Sequence, residues 1–350
     1  MLTSSETLLK GRMFWGALSV GHKLYFRAAR MMVLRFAICL AGALTWLGAP
    51  AMAKYPEKPV TIIIPFGPGS VSDTAARAMA QFLGERLGQP MIVESKQGAG
   101  GLLAAQAVVR AAPDGYTLFL TTNSTHSAAP GLFKNVPYDQ ERDFTPIGRI
   151  GGFPSVIVAT PGLPFKTMQE MVAHAKGNPG KLSYGHGNST GQIAMEVLKQ
   201  RTGIDIVRVP YVSNPQVAND VMAGHLQLMA VDFTNGLPNI EAGKFVSLAV
   251  LTRERSPALP DVPTLHETVM PDFDLIAWAG LFGPAKLPPD ILNTLSTELG
   301  NVLADTNVQR RLGATGVEVL FQPHDVFDQY LKLELVKWTT LIKASGIEPQ

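Results

Sequence analysis

From residue 60 to 66 the chain reads VTIIIPF, an unbroken apolar run rich in β-branched residues. The period then changes, and Ala75, Ala76, Met79, Phe82, Leu83 and Leu87 recur every three or four positions. The first pattern predicts a strand buried on both faces, the second one face of a helix. Similar runs predict strands at 91–94, 116–121, 155–159, 206–209, 226–231 and 247–251. Helical spacing appears between them near 99–112, 167–176, 190–202 and 214–223. This alternation predicts an α/β protein built on parallel sheets with helices on both faces. Thr167-x-x-Glu170 and Thr264-x-x-Glu267 fit capping boxes and mark helix starts. After Pro288-Pro289 apolar stripes (Ile291, Leu292, Leu295, Leu299, then Phe327, Tyr330, Leu331, Leu335, Trp338) predict helices around one further strand at 317–321. No repeat and no flexible linker interrupts the pattern, so two lobes would have to be joined by strands that cross between them.

The leader is different in kind. Residues 36–47 (FAICLAGALTWL) are apolar, follow Arg27, Arg30 and Arg35, and precede Ala51-Met52-Ala53. That order predicts an export signal cleaved after Ala53, leaving Lys54 first and the mature protein in the periplasm. Met31 or Met32 would open a signal of conventional length. Twelve residues fall short of the roughly 20 a membrane-spanning helix needs. Cys39, the one cysteine, follows Ile38 and not the small residue a lipid attachment site wants, and with it cleaved off no disulfide scaffold or Cys-based zinc site is possible.

Composition narrows the function. The chain of 350 residues is 46% hydrophobic and 17% charged, which excludes a disordered tail. Six of the 30 basic residues and one of the 28 acidic ones lie in 1–53, so the remainder carries a net charge of −3. No polybasic footprint for nucleic acid is left. The seven histidines contain no H-x-x-x-H pair, and neither a metal nor a cofactor is expected.

Four segments could carry chemistry. Gly67-Pro68-Gly69-Ser70-Val71-Ser72-Asp73 joins the first strand to the first helix, where glycines, hydroxyls and free N–H groups suit an anion, or else simply turn and cap the chain. Asn123-Ser124-Thr125-His126-Ser127 follows a strand, at the carboxyl end where open α/β sheets bind ligands, and is otherwise a polar surface loop. Asp232 ends another apolar run and is open to a cleft role or an ordinary cap. Gly187-Asn188-Ser189-Thr190-Gly191 matches G-x-S-x-G, and His225, His266 and His324 lie downstream, so a serine esterase using Ser189 is a distinct alternative. Against it, only 182–184 reads as strand before the serine and no HGGG-like oxyanion segment occurs. The same residues suit a second helix amino terminus aimed at an anion. Gly98-Ala99-Gly100-Gly101-Leu102-Leu103 departs from a dinucleotide fingerprint at Leu103 and reads as a helix-start loop.

These loops, in this order and behind an export signal, resemble the Bug family, the extracytoplasmic solute receptors of tripartite tricarboxylate transporters. The matching stretches are Tyr55-Pro-x-Lys58-Pro59, Pro65-Phe66-x-Pro68-Gly69 with Ser72-Asp73 and Ala76-Arg77, Gly98-Ala-Gly-Gly101, Pro113-Asp-Gly-Tyr-Thr-Leu118, Pro137-Tyr138-Asp139 with Asp143-Phe144, Val209-Pro-Tyr211, and the ten residues from Arg255 to Thr264. The resemblance implies the type II periplasmic binding fold, two α/β lobes with a ligand cleft between them, lobe one at 54–155 plus 277–350 and lobe two at 156–276. It implies a non-enzymatic receptor, a monomer, that holds a small carboxylate through Gly67, Pro68, Gly69, Ser70, Val71, Ser72, Asn123, Ser124, Gly187, Asn188, Ser189 and Thr190. Asp232, at the end of its own apolar run, is expected to face the same cleft and set selectivity. The carboxylate would be a dicarboxylate, an aromatic acid or an amino acid, delivered to the transporter's membrane subunits. A ligand-reporting partner of a sensor kinase is the remaining alternative. Ser95, Gln97, Leu102 and the His186-Gly187-Asn188 turn depart from the usual family pattern near the expected cleft, where they bear on which ligand is chosen.

Overall fold

The computed structural model describes residues 55–350 and, of the leader, Met32 alone. The expected export signal, cleaved after Ala53, therefore lies outside the described residues. No described helix is long and apolar enough to cross a membrane.

Eleven described strands form two sheets. The first contains β1 (Val60–Ile64), β2 (Met91–Ser95), β3 (Thr117–Thr122), β4 (Phe144–Phe153), β10 (Ala277–Pro284) and β11 (Glu318–Pro323), in the order β11-β4-β10-β3-β1-β2. The second contains β5 (Ser155–Ala159), β6 (Ser183–His186), β7 (Val207–Pro210), β8 (Leu228–Asp232) and β9 (Val246–Val250), in the order β7-β6-β8-β5-β9. Each sheet carries one lobe.

The sheets are mixed, which corrects the expectation of purely parallel ones. β2-β1-β3 and β7-β6-β8 pair in parallel, but β10 is antiparallel to both β3 and β4, and β5 to both β8 and β9. The cause is the crossing between lobes. β4 passes into β5 across the single residue Pro154, with no room for the helical crossover that parallel neighbours require. The chain returns as β10, which lies against β4 in the opposite direction.

The helices are α1 (Val71–Leu87), α2 (Leu102–Val109), α3 (Ala129–Leu132), α4 (Met168–Gly177), α5 (Ser189–Thr202), α6 (Asn214–Met222), α7 (Phe233–Glu241), α8 (Leu265–Thr268), α9 (Pro289–Ala304), α10 (Thr306–Gly313) and α11 (His324–Ser345). Both expected capping boxes form. Thr167 and Thr264 each accept the N–H of the glutamate three residues on, and each glutamate carboxylate accepts the threonine N–H in return.

β1 is buried on both faces as its composition requires. Val60, Ile62 and Ile64 pack with α1 and α9, whereas Ile63 turns the other way toward α2, Phe119 and Phe282. α11 ties the lobes together. Its Phe327 lies in the lobe-one cluster with Trp278, while Trp338 and Ile342 pack with Ile193 and Val197 of α5 in lobe two. Burial of a side chain such as Ile342 or Phe327 contributes roughly 1.5–3 kcal/mol.

Candidate functional site

Four helices begin at one small cavity. Parallel strands in each sheet deliver the chain to their carboxyl ends, and the turns that follow start α1, α5, α6 and α7 there. The cavity measures about 30 Å³, and Ser70, Val71, Asn188, Thr190, Asn214 and Asp232 bring those starts to its wall. Each helix start carries about half a positive charge on its unpaired N–H groups. Among the described residues, the N–H groups of Val71, Ser72 and Thr190 meet no protein acceptor. No lysine or arginine lines the cavity.

Local capping fixes each start. Ser70 Oγ accepts the Asp73 N–H at 3.3 Å and pairs with Ser72 Oγ at 3.2 Å. Asp73 is held in turn by the Gly69 N–H at 2.9 Å and Arg77 Nε at 2.8 Å. Asn188 Oδ1 accepts the Gly191 N–H at 2.9 Å. Asn214 bridges two loops, its Oδ1 taking the Gly187 N–H at 3.1 Å and its Nδ2 donating to Asp232 Oδ2 at 2.7 Å. Asp232 Oδ1 caps α7 by accepting from Asn235 N and Nδ2 at 3.0 and 2.8 Å. The carboxylate is thus both a cap and a wall of the cavity, the two alternatives left open by the sequence.

The lobes meet at a seam of hydroxyls. Asn123 Nδ2 donates to Ser189 Oγ at 3.2 Å and Thr190 Oγ1 at 3.1 Å, and Ser124 and Ser189 hydroxyls lie 2.9 Å apart. These partners account for Ser189, and no imidazole or carboxylate is among them, unlike an activated nucleophile. β6 runs on to His186, further than the short strand expected, yet Gly187 and Asn188 still separate it from Ser189.

The polar loop expected at 123–127 is instead a buried π-helical turn over Ser124–Ala128. Only Asn123 and Ser124 reach the cleft. Thr125 pairs with Thr121 at 2.7 Å and with His126 Nδ1 at 2.9 Å, and its carbonyl accepts Tyr138 OH at 2.8 Å. His126 stacks on Phe282 at 4.1 Å, and burial pushes its pKa down to about 3.

Beyond the seam lies a larger cavity of about 240 Å³. Phe66, Ser124, Gly187 and Asn188 border both cavities, and Ser189, Gln192, His186, Phe133 and Tyr211 border the larger alone. Burial, with Arg208 nearby, lowers the His186 pKa to about 4, so its ring is neutral at pH 7.

Of the residues expected to bind, Ser70, Val71, Asn123, Ser124, Gly187, Asn188, Thr190 and Asp232 line the small cavity and Ser189 the larger. Gly67, Pro68, Gly69 and Ser72 line neither. Pro68 and Gly69 are exposed, the Gly67 carbonyl closes the turn onto Ser70 N, and Ser72 is buried behind Ser70. Missed residues at the wall include Phe66, Thr122, Phe153, Ser155, Asn214 and Ala277. Asn214 could have been found, because Ser213-Asn214-Pro215 after a strand repeats the helix-start signature of the other two loops.

A family model described as the tripartite tricarboxylate transporter family receptor matches residues 75–347. The chain belongs to this receptor family. BugT of Bordetella pertussis is 30% identical over 307 residues, 86% of this chain and 93% of BugT. The structure of the R. palustris protein Rpa4515 with adipate is 28% identical, with a TM-score of 0.82 over 85% of this chain and 100% of that one. The periplasmic binding protein BugD is 32% identical, with a TM-score of 0.81 over 85% and 100% of the two chains. Within this receptor fold the two sheets are the two lobes, and both cavities lie in the cleft between them.

Proposed function

We propose that this family member is an exported, monomeric receptor that closes its lobes, 54–155 plus 277–350 and 156–276, on the carboxylate of a small organic acid. The closed form is what the membrane subunits of a tripartite tricarboxylate-type transporter receive. The observation that carries this reading is the convergence of four helix amino termini, two of them with free N–H groups, on a cavity of about 30 Å³ at a seam of hydroxyls. Hydrogen bonds to a charged group contribute about 1.5–3 kcal/mol each, and micromolar affinity needs about 8 kcal/mol. Three or four such donors suffice without a cation. Ser70, Asn123, Ser124, Asn188, Ser189 and Thr190 supply them. Asp232, already accepting from Asn214 and Asn235, repels a second anion and admits a hydroxyl or ammonium. The protein does no chemistry on its ligand, since Ser189 has only hydroxyl and amide partners.

Thermal shift against mono- and dicarboxylates, aromatic acids and amino acids tests the reading. A ligand at 100 times its Kd adds about 2.7 kcal/mol of stability and a clear rise in Tm. Failure of every carboxylate to raise the Tm, or turnover of an activated ester that Ser189→Ala abolishes, would overturn it.

A further inference from the structure

The larger cavity differs in chemistry from the smaller one beside it. No Lys, Arg, Asp or Glu borders it. Its apolar lining includes Phe66, Leu132, Phe133 and Val212. Two further neutral polar side chains, His186 and Gln192, belong to the same lining. His186 is 8% exposed and its Nε2 has no hydrogen-bond partner, although buried donors and acceptors are normally paired. Gln192, 7% exposed, makes no side-chain hydrogen bond to another described residue.

Both groups lie just behind the seam. His186 ends β6, and Gln192 sits in the first turn of α5, so the strand and helix that fix Ser189 also fix them. A second carboxylate placed here would lose its water and meet no lysine or arginine; around it stand His186, Gln192 and a Gly98–Gly100 loop that offers no side-chain donor. An uncharged body loses little on desolvation and gains contact with four apolar side chains. Size agrees, because a cavity of about 150 Å³ holds a benzene ring, and about 240 Å³ accommodates a ring with substituents.

We infer that the ligand is a monocarboxylate with an uncharged, ring-sized body, its carboxylate at the helix starts and its body in the larger cavity, where a hydroxyl on the ring meets His186 and Gln192. This inference rests on the carboxylate-receptor reading above. A ligand spanning both cavities parts Ser124 from Ser189, and each hydroxyl then donates to the carboxylate in place of the other. A neutral imidazole and a primary amide both accept and donate, so a phenol O–H has a partner in either orientation.

Titration calorimetry with acetate, phenylacetate, 4-hydroxyphenylacetate and adipate separates the possibilities on the unmodified protein. The expected order is 4-hydroxyphenylacetate tightest, phenylacetate next, and adipate at least about tenfold weaker than the first, roughly one charge-assisted contact. In Gln192→Leu and His186→Phe the advantage of the hydroxyl should shrink to about twofold while phenylacetate still binds, as expected when the two sites act on the ring substituent alone. Adipate binding as tightly as the hydroxyaromatic acid would overturn the inference and leave the receptor reading intact. Failure of all four acids, together with every other carboxylate, would overturn both. Should either variant melt well below the parent, the order of ligands on the parent still decides.

Discussion

The two lobes build their walls of the cleft from the same local signature, a strand, a glycine turn and a capped helix, but they use the glycines differently. At the β1–α1 junction the turn is long and partly exposed, and a Cβ on Gly67 would meet only the end of the Gln97 side chain, at 2.7 Å. At the β6–α5 junction two residues make the whole turn, and a Cβ on Gly187 would lie 2.1 Å from the Ser213 carbonyl carbon and 2.3 Å from Asn214 N. One glycine borders a side chain that can swing away; the other lets two backbones touch. The Gly187 N–H is then within reach of Asn214, which in turn holds Asp232. Lobe two thus presents a wall fixed by backbone packing, and lobe one presents a rim fixed mainly by side-chain caps.

The largest expected effect tests that contrast directly. Gly187→Ala should destabilise the protein by about 3–5 kcal/mol because backbone must move, whereas Gly67→Ala should cost about 1 kcal/mol or less. Urea denaturation of the two variants measures this, and equal midpoints would erase the distinction.

Next comes pH. His186 has a folded pKa of about 4 against an ordinary 6.5, so between those values the unfolded chain holds a proton that the folded one lacks. Stability therefore falls as pH drops from about 6.5 toward 4, by up to about 3 kcal/mol for this residue. His126 adds a similar slope from lobe one, continuing lower. His186→Gln should flatten the profile in part; an unaltered profile would show that the imidazole is not held neutral.

A smaller effect is expected at Asp232. Asp232→Asn keeps one acceptor for the α7 cap but sets an amide against Asn214 Nδ2, a loss of about 1–2 kcal/mol seen in thermal melts. Because Asp232 borders the small cavity that takes the carboxylate common to both acids, the variant should also bind adipate and 4-hydroxyphenylacetate several-fold more tightly alike; unchanged affinities place the carboxylate's field outside the site. Ser189→Ala should have the least effect on folding, about 1 kcal/mol or less, since Asn123 retains Thr190. Its effect on carboxylate binding should exceed its effect on the melt.

Much of this architecture was legible in the chain. The strand at 155–159 and the helices near 167–176 and 190–202 match within a residue, because their periodicity and caps agree. The two crossing strands were not legible. β4 contains Pro146 and three glycines, and β10 contains Gly280 and Gly283, a composition that reads as turn. Packing explains it, for a Cβ on Gly151 would lie 2.1 Å from the Glu318 carbonyl oxygen and one on Gly280 would lie 2.3 Å from the Phe327 ring. The same logic hid part of the site. Glycine, serine and asparagine at 67–72, 123–124 and 187–190 announce helix starts near a cleft, but Phe153 and Ala277 reach it from crossing strands whose positions depend on tertiary pairing.

The absence of lysine and arginine from the lining of both cavities has a kinetic meaning. Outside the leader the chain carries a small net negative charge, and a helix end acts only over about its first turn. Nothing draws an organic anion in from a distance, so encounter is left to diffusion and should change little between dilute and saline surroundings. Selectivity and affinity then reside in how slowly the closed cleft lets its ligand go. A receptor of this kind keeps its capture rate when the surrounding ionic strength swings, where one steered by surface charge would not.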